Sequence, residues 1–331
     1  MFSKLDQSKP RDVVAFGRAT IDLYANEMGG LDTVNTFSKY LGGSPANTSV
    51  AMANIGLMVG YIGKVSKDNF GDYIIQYMGS KGIDTSHIKY DTSGAKSGVT
   101  IGEFLSDSQS NYLMYRNDCA DLNISVEEID EDYIAMHKML LISGASLTQS
   151  PARESVFLAI DYAKRNGVAV ILDLDYRKNT WKSESESSIY YTLAAKQADI
   201  VIGTREEFDV MEFSFHTGNK DDEFTANHLL ESGVSIVSIK KGRKGSTVYT
   251  QDGGVYRGGI YDVKVNNTFG AGDSYSSAFN YGLVTGKSIE EALKYAAASS
   301  AITITGHSCS DSMPSLSQIE EFLKSNEYSV D

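Results

Sequence analysis

A chain of 331 residues, 41% hydrophobic and 22% charged, is long enough to bury a large α/β core and has the balance of a water-soluble globular protein. Its formal net charge of −13 argues against nucleic acid or an anionic membrane as a partner, although a small anion needs only a local group of arginines. Cys119 and Cys309 are too few for a disulfide framework and fit a reducing cytoplasm, residues 1–10 lack the apolar core of a signal peptide, and no apolar run nears the ~20 residues that cross a bilayer.

Along the chain, short apolar runs alternate with longer amphipathic segments, which predicts a mostly parallel sheet with helices on both faces. Buried strands are predicted over 13–16, 59–62, 138–142, 168–172, 200–202 and 234–239. Helices are predicted over 45–55, 70–78, 153–165, 188–197, 206–211 and 223–231, then over 271–284 and 289–304, with 316–323 closing the chain. Two stretches, 20–26 and 99–115, have mixed faces. In the second, Tyr112, Met114 and Arg116 share one face, and Leu113 and Tyr115 the other. Such strands do not belong in the centre of a parallel sheet. They predict a small antiparallel arm lying over the site as a lid, drawn from about 20–41 and 98–116 of a single 1–331 unit. A lid sheet with one apolar face pairs readily with a second copy, so a homodimer through the lid is expected.

The segment Asn267-Thr268-Phe269-Gly270-Ala271-Gly272-Asp273 leads straight into the helix predicted from 271. Two glycines and an alanine leave the N–H groups of a tight turn uncovered, and the positive end of the helix dipole points the same way. Asp273 would repel an anion held there. The conflict disappears if Asp273 is a base that takes a proton from a hydroxyl while the turn holds the phosphoryl group under attack. The first hypothesis is therefore a kinase acting on an alcohol.

Gly42-Gly43-Ser44-Pro45-Ala46-Asn47 reads either as a good helix start capped by Ser44, or as a place where backbone and the Asn47 amide approach a sugar. Asp173, Asp175 and Arg177 follow a buried strand, as a salt-bridged strand end or as acids orienting Arg177 toward a carboxylate or phosphate. Thr204 and Glu207 form a capping-box pattern, and Glu207 can alternatively hold the waters of Mg²⁺. Lys240-Lys241-Gly242-Arg243-Lys244-Gly245 is a basic turn between strands, suited to a nucleotide phosphate near the glycine loop. There is no Walker-type loop, no protein-kinase signature set, no Gly-x-Gly-x-x-Gly after the first strand, and no histidine spacing suited to a metal.

In this order, Gly42-Gly43 with Asn47, the Lys240-x-Gly242-x-x-Gly245 turn and the Thr268-x-Gly270-Ala271-Gly272-Asp273 signature resemble the ribokinase-like (phosphofructokinase-B-type) carbohydrate kinases, over nearly the whole chain. The resemblance implies a Rossmann-like α/β fold with a β lid, ATP as phosphoryl donor, Mg²⁺, and Asp273 as catalytic base. It also implies a charge-stabilising role for the main chain of Gly270, Ala271 and Gly272, and puts Lys240, Gly242, Gly245, Thr268 and Ser299 beside the nucleotide. Mg²⁺ would be reached by Glu207 through water. Arg18, Asp22, Gly42, Gly43, Asn47, Tyr112, Arg116 and Arg177 fall on the sugar side, with Asp22 matching the acid that binds substrate hydroxyls.

Gly17-Arg18-Ala19-Thr20-Ile21-Asp22-Leu23-Tyr24, Tyr115-Arg116, Asp173-x-Asp175-x-Arg177 with Trp181, and Gly306-His307-Ser308-Cys309-Ser310-Asp311 look like the branch of that family acting on a keto-sugar acid in myo-inositol catabolism. The resemblance thus implies transfer of a phosphoryl group from ATP to the terminal hydroxyl of a six-carbon keto-sugar acid. Arg18, Arg116 and Arg177 are available for its carboxylate. Alternatives are 2-keto-3-deoxygluconate or fructose as acceptor and, in another class, a non-catalytic sugar-acid-binding regulator, which has no need of a base at Asp273. Two positions depart from the family pattern, Thr204 in place of Asn and Asn267 in place of Asp. The second removes a charge, so monovalent-cation dependence does not carry over.

Overall fold

The computed structural model describes residues 5–106 and 109–330. Its first half contains β1 (Arg11–Phe16), β2 (Thr20–Met28), β3 (Phe37–Gly42), α1 (Ser44–Asn54), β4 (Val59–Val65), α2 (Asn69–Ser80), β5 (Asp84–Tyr90), β6 (Val99–Ser106), β7 (Gln109–Tyr115), α3 (Glu131–Ala135), β8 (His137–Ser143) and α4 (Ala152–Arg165). Then come β9 (Ala169–Asp173), α5 (Glu184–Ala195), β10 (Ile200–Thr204), α6 (Arg205–Met211), α7 (Asp222–Glu231), β11 (Ile236–Lys240), β12 (Ser246–Thr250) and β13 (Val255–Gly258). The remaining helices are α8 (Ala271–Val284), α9 (Ile289–Thr303) and α10 (Leu316–Ser325).

Nine strands form one sheet in the order β13-β12-β11-β10-β9-β8-β1-β4-β5, parallel from β5 to β11 and antiparallel at the β12 and β13 edge. Its central strands are apolar on both faces because both faces are covered. Val14, Phe16, Leu140, Ile142, Val170 and Leu172 enter one core, and Val13, Ala15, Met139, Leu141, Ala169 and Ile171 the other. From β1 the chain runs outward to β4 and β5 on one side and later to β8, β9 and β10 on the other. The carboxyl ends of strands at such a switch point are where an open α/β sheet leaves room for a ligand.

The mixed-face strands make a separate four-stranded sheet ordered β3-β2-β6-β7. Here the expectation of an antiparallel arm needs correction: β2 pairs with β3 and β6 with β7 antiparallel, but β2 and β6 run parallel. A parallel pair needs a long crossover, and α1, β4, α2 and β5 supply it. Positions 107 and 108 of the predicted second stretch lie outside the described residues. Met28, Leu113 and Tyr115 are exposed on this sheet.

Most helices have a side-chain cap, such as Asp68 on α2, Ser183 on α5, Thr204 on α6 and Ser288 on α9. The heads of α1, α4 and α8 have none. Gly270 precedes α8 at φ 79, a left-handed conformation that disfavours a side chain. Ser44, expected to cap α1, is the first residue of that helix instead, so its hydroxyl is free for another partner.

Candidate active site

The heads of α1 and α8 meet at the carboxyl ends of the central strands. There the loops after β1 and β9 and the ends of β10 and β11 border a cavity of about 260 Å³, covered from the smaller sheet by Thr100, Tyr112 and Met114. Asp273, in the first turn of α8, points into it. Ser44 Oγ donates to one of its oxygens at 2.7 Å, and Asn47 Nδ2 to the other at 3.1 Å. Both partners are neutral. Burial first, and the like charge of Asp175 second, push the Asp273 carboxyl up to about 7, against the Ser44 hydrogen bond and Arg177, which pull it down. A carboxylate poised there can accept a proton at neutral pH.

Asp22 enters from β2. Tyr24 Oη donates to it at 2.8 Å, while burial raises its carboxyl above the ordinary value. Gly42 makes room for this group, because a Cβ at position 42 would lie 1.8 Å from Asp22 Oδ1. Gly42 thus acts through Asp22 rather than by lining the cavity. The same Tyr24 hydroxyl lies 3.0 Å from Cys309 Sγ, and Cys309 packs against Gly270. Both stand in motifs that resemble the sugar-acid branch, but their contact was not legible, since 285 residues separate them.

The three arginines separate clearly. Asp175 sits at φ 38, an uncommon backbone state for a side-chain-bearing residue; it accepts from Ser143 Oγ at 2.7 Å and is ion-paired with Arg177 Nη2 at 2.6 Å. Arg18 Nη2 lies 3.7 Å from it. Burial alone would raise the Asp175 carboxyl, but Arg177, Arg18 and the Ser143 hydrogen bond hold it below the usual range. Arg18 and Arg177 line the cavity, whereas Arg116 does not. Arg116 is buried with Nη2 2.5 Å from Asp121 and 3.1 Å from the carbonyl of Ala145.

On the far side, Lys240 Nζ stands 3.5 Å from Asp173 Oδ1 and beside Gly272. Burial pulls the Lys240 ammonium down, but Asp173 and Glu207 outweigh it and keep its pKa raised. Thr268, Phe269, Gly270 and Gly272 form the adjoining wall. Asn267 braces that loop: its amide donates to the carbonyls of Gly306 and His307 at 3.0 and 2.8 Å, and its oxygen accepts from Phe269 N at 2.7 Å. Glu207 also lines the cavity, with one oxygen accepting from Thr204 N at 2.8 Å and the other from Tyr176 N at 2.9 Å. Among the described residues no three His, Cys, Asp or Glu side chains are grouped to grip a metal directly. Asp173 and Glu207 fit the alternative, a Mg²⁺ that keeps its waters, because a carboxylate has lone pairs beyond those its present donors use.

The description pfkB family carbohydrate kinase matches residues 10–316. The chain belongs to that family. Over 98% of this kinase and 96% of the relative, it is 48% identical to the 5-dehydro-2-deoxygluconokinase of Geobacillus kaustophilus (strain HTA426). It is also 48% identical to the enzyme of that name from Bacillus subtilis (strain 168), over 96% of this chain and 98% of that one. Among solved structures, a PfkB protein from Polaromonas sp. JS666 aligns with TM-score 0.83 at 24% identity, covering 94% of this chain and 99% of that one. A fructokinase with bound ATP from Xylella fastidiosa aligns with TM-score 0.84 at 23% identity, covering 95% and 98%. These two likenesses establish the ribokinase-like fold and nothing finer.

The kinase's cavity brings together Arg18, Asp22, Gly43, Asn47, Tyr112, Arg177, Glu207, Lys240, Thr268, Gly270, Gly272 and Asp273 from the expected set. Gly42, Arg116, Ala271, Gly242, Gly245 and Ser299 lie off its wall. Gly242 and Gly245 shape the turn between β11 and β12. Ser299 is inside α9 with its hydroxyl 2.7 Å from that of Ser274, so it packs two helices together. For Arg116 the available sign was Asp121, an acid only five residues on.

Proposed function

We propose that this kinase transfers the γ-phosphoryl group of ATP to the terminal hydroxyl of 5-dehydro-2-deoxy-D-gluconate, giving the 6-phosphate and ADP. The observation that carries the reading is Asp273, a half-buried carboxylate with a pKa near 7, at the uncapped head of α8 in a cavity that also holds the buried Arg18 and the half-buried Arg177. The extent of identity to 5-dehydro-2-deoxygluconokinases supports the choice of sugar acid.

Asp22 and Asn47 hold sugar hydroxyls. Asp273 takes the proton of the C6 hydroxyl as its oxygen forms a bond to the γ-phosphorus and the bond to the ADP oxygen breaks. Main-chain N–H groups of Gly270 to Asp273 face the charge that develops on the transferring group, the arrangement in which fixed donors stabilise a transition state most. Lys240 neutralises phosphate oxygens from the other side. Mg²⁺, when bound with the nucleotide, offsets the phosphate charge, and Asp173 and Glu207 would hold its waters. The four-stranded sheet closes over the sugar and keeps water out.

Coupled ADP release over 5-dehydro-2-deoxygluconate, 2-keto-3-deoxygluconate and fructose tests the reading. The first should give the highest kcat/KM. A preference for either other sugar would reassign the substrate. Ligand-dependent melting shifts without any turnover would point to a non-catalytic binder.

A further inference from the structure

Arg18 is a buried and poorly satisfied charge in the cavity. It is 3% exposed and follows β1 at the switch point of the large sheet. A guanidinium carries five N–H donors in a rigid fork. Here Nε has no partner among the described residues, Nη1 reaches only Met114 Sδ at 3.5 Å, and Nη2 is 3.7 Å from Asp175, beyond hydrogen-bond length. A buried cation without an oxygen acceptor is costly, so the site is complementary to an anion that the chain itself does not supply.

The neighbouring arginines are more engaged. Arg116 spends Nε and Nη2 on Asp121 and lies off the cavity wall, its Nη1 without a partner among the described residues. Arg177 is ion-paired with Asp175 and donates Nη1 to the Tyr176 carbonyl at 3.4 Å. Asp175 cannot serve both neighbours equally, being 2.6 Å from Arg177 and 3.7 Å from Arg18. It neutralises Arg18 at a distance while leaving its donors open.

We infer that Arg18 receives the carboxylate of the acceptor sugar and thereby selects sugar acids over neutral sugars, with Asp175 as the counterion that keeps Arg18 buried in its absence. This deepens the reading of the same site given above and rests on it. A planar carboxylate accepts two parallel N–H donors from such a fork. A neutral hydroxyl accepts one N–H donor but offers no charge, so it satisfies Arg18 less than a carboxylate does.

The test compares wild type, Arg18→Gln and Arg18→Lys, with kcat/KM measured for the sugar acid and for its analogue bearing a primary alcohol in place of the carboxylate. The ratio of the two should fall by about tenfold or more in Arg18→Gln, mostly through KM for the acid, since a charged hydrogen bond is lost. Arg18→Lys should restore part of the ratio. An unchanged ratio in both variants, with the two sugars losing equally, would make Arg18 merely structural and overturn the inference. Should Arg18→Gln fail to fold, Arg18→Lys still decides, because losing the fork must lower the ratio. A wild type that prefers 2-keto-3-deoxygluconate revises the substrate but leaves Arg18 to be judged by that acid's ratio. A wild type that prefers a neutral sugar overturns both.

Discussion

Asp273, half-buried, and Asp175, fully buried, are carboxylates on one cavity, yet their surroundings push them apart. Among the described residues Asp273 has only Ser44 and Asn47 as hydrogen-bond donors, and it is raised to about 7. Asp175 has two arginines and a serine and is held below the ordinary range. Burial opposes the charge at both, so the partner decides the outcome. Two acids separated in this way have separate tasks. One can gain and lose a proton near neutrality, while the other is a fixed negative charge that holds guanidinium groups in place.

The largest way to break this contrast is to remove the base. Asp273→Asn keeps size and much of the hydrogen bonding, and turnover should fall by about 10²–10⁴, the contribution of a positioned base. Single-turnover rates on a variant with an unchanged melting curve would check it. Turnover near wild type would return Asp273 to a structural role.

The next largest effect is expected in stability. Asp175→Asn leaves Arg18 buried without a counterion, and taking one partner from a buried pair costs about 3–5 kcal/mol. Denaturant unfolding would measure the loss, and the sugar acid should stabilise this variant more than wild type by replacing the missing charge. Unchanged stability would mean that Arg18 and Arg177 do not depend on Asp175.

The same contrast between neighbours explains what the sequence could say. Residues 13–16, 138–142 and 200–202 read as buried strands because the large sheet is covered on both faces, which leaves an unbroken apolar run. The head of α8 was equally plain, since Gly270 and Gly272 leave little else for that turn to be. The edge strands β5 and β13 are largely polar and half-exposed, so no apolar pattern marked them, and β3 alternates without a buried run until Leu41. The parallel pairing of β2 with β6 depends on where an intervening crossover packs, which no local pattern encodes. In the site, residue types were readable but their partners were not. Ser44 looked like a cap, and only the approach of α8 turns its hydroxyl to Asp273, 229 positions away. Arg18, Arg116 and Arg177 looked equivalent until Asp121 and Asp175 divided them.

The smallest effects are the most direct test of the central contrast, through the pH dependence of kcat/KM for the sugar acid at saturating MgATP. A base must be ionised to act, so activity should be lost as pH falls through the Asp273 pKa, about 7 in wild type. Ser44→Ala removes a hydrogen bond that favours the ionised form, so the acid limb should move to higher pH. Asp175→Asn removes a neighbouring negative charge, so the limb should move lower. Opposite displacements of one limb are the predicted result. A limb that stays in place in both variants, or moves the same way in both, would contradict the assignment of Asp273 as the titrating base.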